Sequence, residues 1–345
     1  MAAMALASVA CGSDDGESGD SRFGDSDSTT VTATASATDT AATLGESGGD
    51  EDGEETGPKL DVGGDDGTPE VCENVLPITV RDFKAFGESG GHTDFEISDR
   101  GVYENGQLYQ GWNDVGCGLV EPNLGGDRKP VFYAGPPDVN EGGPQIKSGV
   151  GRQQRVVSGP GCWPSENGVC NVGTCQPWTF DPPTYEIESA NSFNQWYNTV
   201  DGVNMEFELE LEVVETAPDS GIYVYDSTAF FPIDNMGFGN SPGLAHNFHF
   251  TTEVHVLFEY EAGQVFSFRG DDDLWIFVNG KLALDVGGLH EALEGTIDFD
   301  AQAAQLGIVP GEYYEMDIFH AERQSDESNF RVETNIRCFT PNPVE

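Results

Sequence analysis

Three consecutive aspartates, Asp271, Asp272 and Asp273, stand between Arg269-Gly270 and the apolar run Leu274-Trp275-Ile276-Phe277-Val278, which closes on the turn pair Asn279-Gly280. Adjacent carboxylates repel one another, and a hard divalent cation with oxygen ligands relieves that repulsion; Ca²⁺ takes six to eight oxygens at about 2.3 to 2.6 Å. Calcium is therefore the expected ion. The same residues would also serve as turn caps facing solvent, and at this level both readings stand. Zinc-protease and nucleotide chemistry lack their signatures, since the chain has no H-E-x-x-H and no phosphate-binding loop. Carboxylate pairs are too abundant to point to glycan hydrolysis, which needs two of them about 5 to 10 Å apart in a cleft. The chain is read as a non-enzyme. A zinc site at Cys162, Cys170 and Cys175 is disfavoured, because the spacing has no paired C-x-x-C and no histidine is near.

The elements that must position the aspartates are strands. Alternation of apolar and polar residues predicts them at Ile78–Phe83, Met205–Val214, Glu253–Tyr260, Val265–Arg269, Leu274–Val278, Leu282–Val286, Tyr313–His320 and Phe330–Ile336. In Met205–Leu211 the alternation is strict, so one face is buried and the glutamates face water. Only Asp300–Leu306 reads as a helix, with Asp300 as N-cap and Gly307 at its end. Strands with short turns predict an all-β antiparallel sandwich. The Gly-, Pro- and Asn-rich stretch Gly101–Pro183, which carries four cysteines, reads as long disulfide-held loops.

Composition sets the surroundings. Across 345 residues, 61 acidic side chains face 15 basic ones, a formal charge of −46 that argues against nucleic acid and anionic membranes as partners. Residues 12–70 hold 17 acids, 2 bases and almost no large apolar side chain, which predicts a disordered acidic tether. Residues 1–11 resemble the remnant of a lipoprotein signal ending at Cys11, a lipid-attachment candidate; a start placed too late would account for the missing basic stretch. The remaining cysteines, Cys72, Cys117, Cys162, Cys170, Cys175 and Cys338, are even in number and predict up to three disulfides in an exported domain over 71–345, with Cys72 and Cys338 placed to close it. No apolar run reaches the roughly 18 residues of a membrane-spanning helix. Contact with a membrane is thus expected through the lipid alone.

The text from Phe266 to Lys281, with Leu284-Asp285-Val286-Gly287-Gly288-Leu289-His290 and Asp317-Ile318-Phe319-His320-Ala321-Glu322-Arg323 after it, resembles the bacterial fibro-slime domain, as do Phe193–Tyr197 and His246–Thr251 upstream. That family is similar to the protective-antigen-type β-sandwich of toxins, glycosidases and flocculin adhesins. The resemblance implies that two aspartates joined by a cis peptide hold Ca²⁺, which in turn binds sugar hydroxyls. By motif position these are Asp271 and Asp272, with Asp273 where glycine is common. Asn329 is the candidate for a ligand from a later loop. Asp285, His290, Asp317, His320 and Glu322 fall in the motifs most particular to the group and are expected at the same end of the sandwich. His320 also suits a core imidazole, Glu322 with Arg323 a surface pair, and His290 a turn cap. Trp112, Trp163, Trp178 and Trp196 are candidates for stacking on sugar rings or for burial. The expected function is an extracellular calcium-binding carbohydrate or adhesion module, on the cell surface, in an outer membrane as a lipoprotein, or in extracellular matrix. A calcium-stabilised matrix or protein-interaction scaffold is the alternative.

Overall fold

Strict alternation in a strand sends successive side chains to opposite faces. The second half of Met205–Leu211 buries its apolar face as expected, with Leu209 and Leu211 buried and Glu208, Glu210 and Glu212 exposed, whereas Phe207 is half-buried and Met205 is exposed. The structure is a computed structural model that describes residues 75–96, 102–103, 107–109, 114–115, 119–133, 184–185, 187–290, 292–325 and 327–344. In chain order the elements are β1 (Val75–Phe83), β2 (Val102–Tyr103), β3 (Gln107–Tyr109), β4 (Asp114–Val115), β5 (Thr184–Tyr185), α1 (Ala190–Phe193), β6 (Asn204–Glu212), β7 (Val214–Glu215) and β8 (Tyr223–Ser227). They continue with β9 (Phe250–Glu259), β10 (Val265–Gly270), β11 (Asp273–Val278), β12 (Lys281–Val286), β13 (Gly288–Leu289), β14 (Leu293–Asp298), α2 (Phe299–Leu306), β15 (Tyr313–Glu322), β16 (Phe330–Thr334) and β17 (Thr340–Pro341).

Two antiparallel sheets make the body. The first runs β12-β11-β15-β9-β1-β6 with β17 beside β9, and the second runs β14-β10-β16-β8-β7. Their inner faces meet in one core that includes Ile78, Leu211, Val256, Ile276 and Ile318 from the first sheet and Tyr225, Phe266, Phe268, Phe330 and Val332 from the second. This is the expected all-β antiparallel architecture. A second apolar cluster lies on the other face of the first sheet, where Trp275, Phe277, Phe319 and Ala321 pack against Phe95, Leu119, Phe132, Phe193 and Trp196. That outer layer explains why β11 reads as a continuous apolar run: all six of its residues are buried.

Two strands of five or more residues, β8 and β14, escaped the sequence reading, as did the short β2, β3, β4, β5, β13 and β17. β8, which lies between β16 and β7, carries two tyrosines and is largely half-buried, and β14 holds Glu294, Gly295 and Thr296 among its six residues, so neither shows clean alternation of apolar and polar residues. The helix begins earlier than expected. Asp298, not Asp300, is the N-cap, its side chain accepting from the Ala301 N–H at 2.9 Å. Asp300 sits in the first turn and accepts instead from the Tyr260 hydroxyl at 2.6 Å. Gly307 ends the helix at φ 73°, a left-handed position that favours glycine. Apart from Cys338, the cysteines expected to pair lie outside the described residues, as do the lipid candidate Cys11, the segments 1–11 and 12–70, and most of Gly101–Pro183.

Segment 119–133 is clamped onto the first sheet by charge. His255 on β9 contacts Asp317 of β15 through Nδ1 at 2.6 Å and Glu253 through Nε2. Glu253 also receives Lys129 and, at 2.6 Å, Arg81, which bonds Glu206 at 2.8 Å; Asp317 receives Arg128, which reaches Glu315 at 3.4 Å. Burial by itself would lower the His255 pKa, but the two carboxylates overcome it and raise it above 6.5. Burial likewise opposes ionisation of Glu253, yet His255, Arg81 and Lys129 bring it down to about 2. A raised histidine stabilises the fold fully below its ordinary 6.5 and loses that contribution as pH rises through the folded value. A lowered carboxylate stabilises above 4.5 and loses its contribution as pH falls toward 2. The stability difference between the native chain and His255→Gln should therefore shrink above pH 6.5, whereas that for Glu253→Gln, about 3 to 5 kcal/mol at neutral pH, should shrink below pH 4.5; thermal unfolding across pH measures both.

Candidate functional site

The strands flanking the aspartates belong to different sheets: β10 ends at Gly270 in the second, and β11 starts at Asp273 in the first. Asp271-Asp272 thus crosses between the layers at one end of the sandwich, and its peptide bond is cis. The approach is close. A Cβ placed on Gly270 would stand 2.6 Å from the Asn329 carbonyl oxygen and 2.7 Å from the Phe268 ring, so only glycine lets β10 and β16 meet here.

The three carboxylates are held in different ways. Asp271 Oδ1 accepts the Asn329 N–H at 2.6 Å and Oδ2 accepts Asn329 Nδ2 at 3.3 Å. Asp272 Oδ1 accepts the His290 N–H, and Oδ2 the Arg323 N–H, each at 3.1 Å. Each of these oxygens has one such donor and keeps a lone pair for a cation. Asp273 turns inward, with Oδ1 accepting the Gly288 N–H at 2.7 Å and Oδ2 accepting Arg323 Nε at 2.6 Å. It is a buried anchor for Arg323, whose guanidinium also lies 4.8 Å from the Trp196 ring centroid and donates to the Asp94 carbonyl oxygen at 3.2 Å.

Glu322, at the end of β15, joins the first two aspartates. It is 1% exposed, and its Oε2 has no hydrogen-bond partner. Burial first, then the charges of Asp272 and Asp271, push its pKa well above the ordinary carboxylate value. Burial raises Asp271 to about 6 against the lowering effect of Asn329, and raises Asp272 well above 3.8 although Arg323 opposes it. Three buried carboxylates that hold one another toward the neutral form make a place where a cation gains a large electrostatic stabilisation. Among the described residues, however, no three His, Cys, Asp or Glu side chains converge tightly enough to hold an ion alone. Amide, main-chain or water oxygens would complete a calcium shell, which suits an ion that takes six to eight. Asp271, Asp272 and Asn329 retain 4%, 5% and 8% exposure, whereas Asp273, His320 and Arg323 retain none, so the cluster opens to solvent on the side of the first three.

Of the other expected residues, His320 sits beneath Asp271 and donates Nε2–H to its carbonyl oxygen at 2.7 Å. Phe230, Phe250, Phe268 and Phe330 surround the ring, and burial lowers its pKa to about 4, so it is a neutral core imidazole that props the aspartate pair. His290 contributes its main-chain N–H to Asp272 and points Nε2 at the Val286 carbonyl oxygen at 3.2 Å. Asp285 accepts the Gly287 N–H at 3.2 Å, in its own turn. Asp317 lies four residues before Ala321 on β15, about 13 Å along the strand, and belongs to the His255 clamp. Glu322 and Arg323 are no surface pair, since both are buried. Trp196 is fully buried with Nε1 bonded to Asp94 Oδ2 at 3.1 Å, which removes it as a sugar-stacking surface; Trp112, Trp163 and Trp178 lie outside the described residues. The roles of Arg323 and Asp94 were missed. The available signal for Arg323 was its place at the end of the alternating run Phe319, Ala321, Arg323, which puts it on the face that carries Trp275.

Residues 216–338 match the family model of the PA14 domain. Among curated proteins, the chain is similar to three proteins of Dictyostelium discoideum. Protein psiD is 32% identical over 269 residues, covering 76% of this chain and 41% of the relative. Protein psiQ is 36% identical over 45% of this chain and 16% of the relative, and protein psiI is 41% identical over 36% and 18%. The chain spans less than half the length of these relatives. A solved structure, the PA14 domain of the MpAFP antifreeze protein, aligns with a TM-score of 0.23 at 12% identity over 37% of this chain and 81% of that one. The expectation of a bacterial fibro-slime domain is overturned, because the relatives are psi proteins of a eukaryote and the matching domain model is PA14.

The division of labour among the aspartates has a measurable consequence. Asp273→Asn strips the charge partner from a fully buried arginine and should lower the unfolding free energy by about 3 to 5 kcal/mol in urea, with or without Ca²⁺. Asp271→Asn removes a charge that burial disfavours, and should leave stability in chelator unchanged or higher.

Proposed function

We propose that this chain is a calcium-dependent carbohydrate-binding module that acts outside the cell in adhesion. The observation that carries the reading is the Asp271-Asp272 carboxylate pair beside the buried, unpartnered Glu322 oxygen at one end of a PA14-like sandwich. A bound Ca²⁺ would neutralise these carboxylates, with Asn329 and main-chain oxygens as further donors, and two vicinal sugar hydroxyls would replace waters on its exposed side. Recognition here needs no bond to be broken, so the module binds without turnover. In this reading residues 12–70 are a tether and Cys11 the lipid attachment. Cys338 is disulfide-bonded, which supports an exported domain, and Cys72 is its proposed partner.

A second reading has its own support. The aspartates and Asn329 are all under a tenth exposed, which also suits a calcium ion that only stiffens a scaffold. Thermal unfolding of the full chain, with chelator and then with Ca²⁺, tests the metal first. Ca²⁺ at a hundredfold excess over Kd should stabilise the native chain by about 2.7 kcal/mol, and Asp271→Asn or Glu322→Gln should lose most of that gain. No response in the native chain would remove the metal, and with it this function. Retention on immobilised glycans then separates the readings: calcium-dependent retention supports the binding module, and none at all, with the thermal response intact, supports the scaffold.

A further inference from the structure

The outer face of the second sheet carries two arginines in register. Arg269 on β10 lies directly opposite Arg331 on β16, in a cross-strand row that runs Glu294, Arg269, Arg331, Asp226 over four strands. Like charges directly opposite each other in a sheet repel, and this pairing occurs in a chain with only 15 basic residues against 61 acidic ones. Arg331 is engaged, bonding Asp226 at 3.2 Å and also Glu333. Arg269 is exposed and, among the described lysines and arginines, is the one with neither a hydrogen bond nor an ion pair. Even Glu294, its partner in register, stands beyond ion-pair distance. The two arginines line a shallow cleft of about 130 Å³ with Ser267, Phe268, Glu294 and Glu333.

The position of this cleft gives it meaning. Arg269 precedes Gly270-Asp271 and Arg331 follows Asn329-Phe330, while Gly270 pairs with Phe330 and Asn329 bonds Asp271. Asp271 and Asn329 come directly after β10 and before β16, so the arginine row is two residues, about 7 Å of extended chain, from each of them. The two arginines thus stand one pair inside the Gly270–Phe330 pair that ends both strands, beside the loops that hold the cluster.

We propose that Arg269, backed by Arg331, is an anion subsite adjoining the cation site, and that the ligand is an acidic polysaccharide bearing carboxylate or sulfate groups. The proposal rests on the carbohydrate-binding reading. The cation would hold hydroxyls of one sugar while the free guanidinium donates paired hydrogen bonds to the anionic group of a neighbouring one. Two positive elements in a row let a chain of charge −46 accept an anionic polymer that its overall field repels.

The test is retention of the full chain in Ca²⁺ on three soluble glycans immobilised separately: oligogalacturonate, dextran sulfate and neutral dextran. The native chain should be retained on one or both acidic glycans, which one identifying the carboxylate or the sulfate, and more weakly on the neutral one. Arg269→Gln should weaken acidic retention about tenfold without moving the thermal midpoint or its calcium response, and Arg269→Lys should restore part of the loss. Glu294→Gln, which removes the competing carboxylate opposite Arg269, should strengthen it. Equal retention of native chain and Arg269→Gln on acidic glycans overturns the subsite, as does retention on neutral dextran alone, and both outcomes leave the carbohydrate-binding reading standing. Retention on none of the three overturns the subsite, and if wider glycan screening in Ca²⁺ is also blank, that reading fails with it.

Discussion

The buried pair between Asp273 and Arg323 organises the end of the sandwich where the two sheets exchange strands. Both side chains are fully buried and their ion pair is 2.6 Å long. Removing either partner would leave a charge without solvent or counter-ion, so the pair commits the first residue of β11 and the residue after β15 to one geometry. The main-chain N–H of the same arginine reaches Asp272, and its guanidinium lies against Trp196, which ties the outer aromatic layer to the aspartate loop. One arginine therefore sets where the second aspartate points, through its main-chain N–H, while the third, which looks equivalent in sequence, is used up in holding its guanidinium.

The consequence is a separation of roles within three adjacent residues of one type. Asp271 and Asp272 are left with spare lone pairs at the rim, and Glu322 is brought beside them without a partner for one oxygen. Their mutual repulsion in a low-dielectric setting is unfavourable to the bare fold and favourable to anything positive that enters. His320 and Phe230, Phe268 and Phe330 supply a rigid floor for this cluster, so that its charge is not relieved by side-chain motion into water. The second charged cluster, around His255, has the opposite character. Its carboxylates are matched by Arg81, Arg128, Lys129 and the imidazole, and it fastens segment 119–133 to the sheet.

Strands such as β6 and β10 were legible because one face meets the core and the other meets water, which writes a period of two into the residues. β14 was not, since Gly295 packs its backbone against Leu284 where an apolar side chain would have announced a strand. The helix start was misplaced by two residues because Asp298 and Asp300 are equally good caps in isolation; the Tyr260 hydroxyl claims Asp300 and leaves Asp298 to the helix end. Within the site, Asp271, Asp272, Asn329 and Glu322 were named from motif text and do come together, whereas Asp317, drawn from the same motif as Glu322, faces a different cluster on the far side of the first sheet.

By itself the sequence determined the all-β class, the position of the aspartate loop between two strands and the acidic surface, because each is written in local pattern or composition. Tertiary structure alone decided which aspartates face the rim and which is spent on Arg323, that Glu322 is a buried third carboxylate, that Trp196 is interior, and that Arg269 and Arg331 stand side by side. These depend on pairing between residues 50 or more positions apart, as in Asp273 with Arg323 and Asp271 with Asn329. Local pattern records which face a side chain takes, but not which distant charge it will meet there.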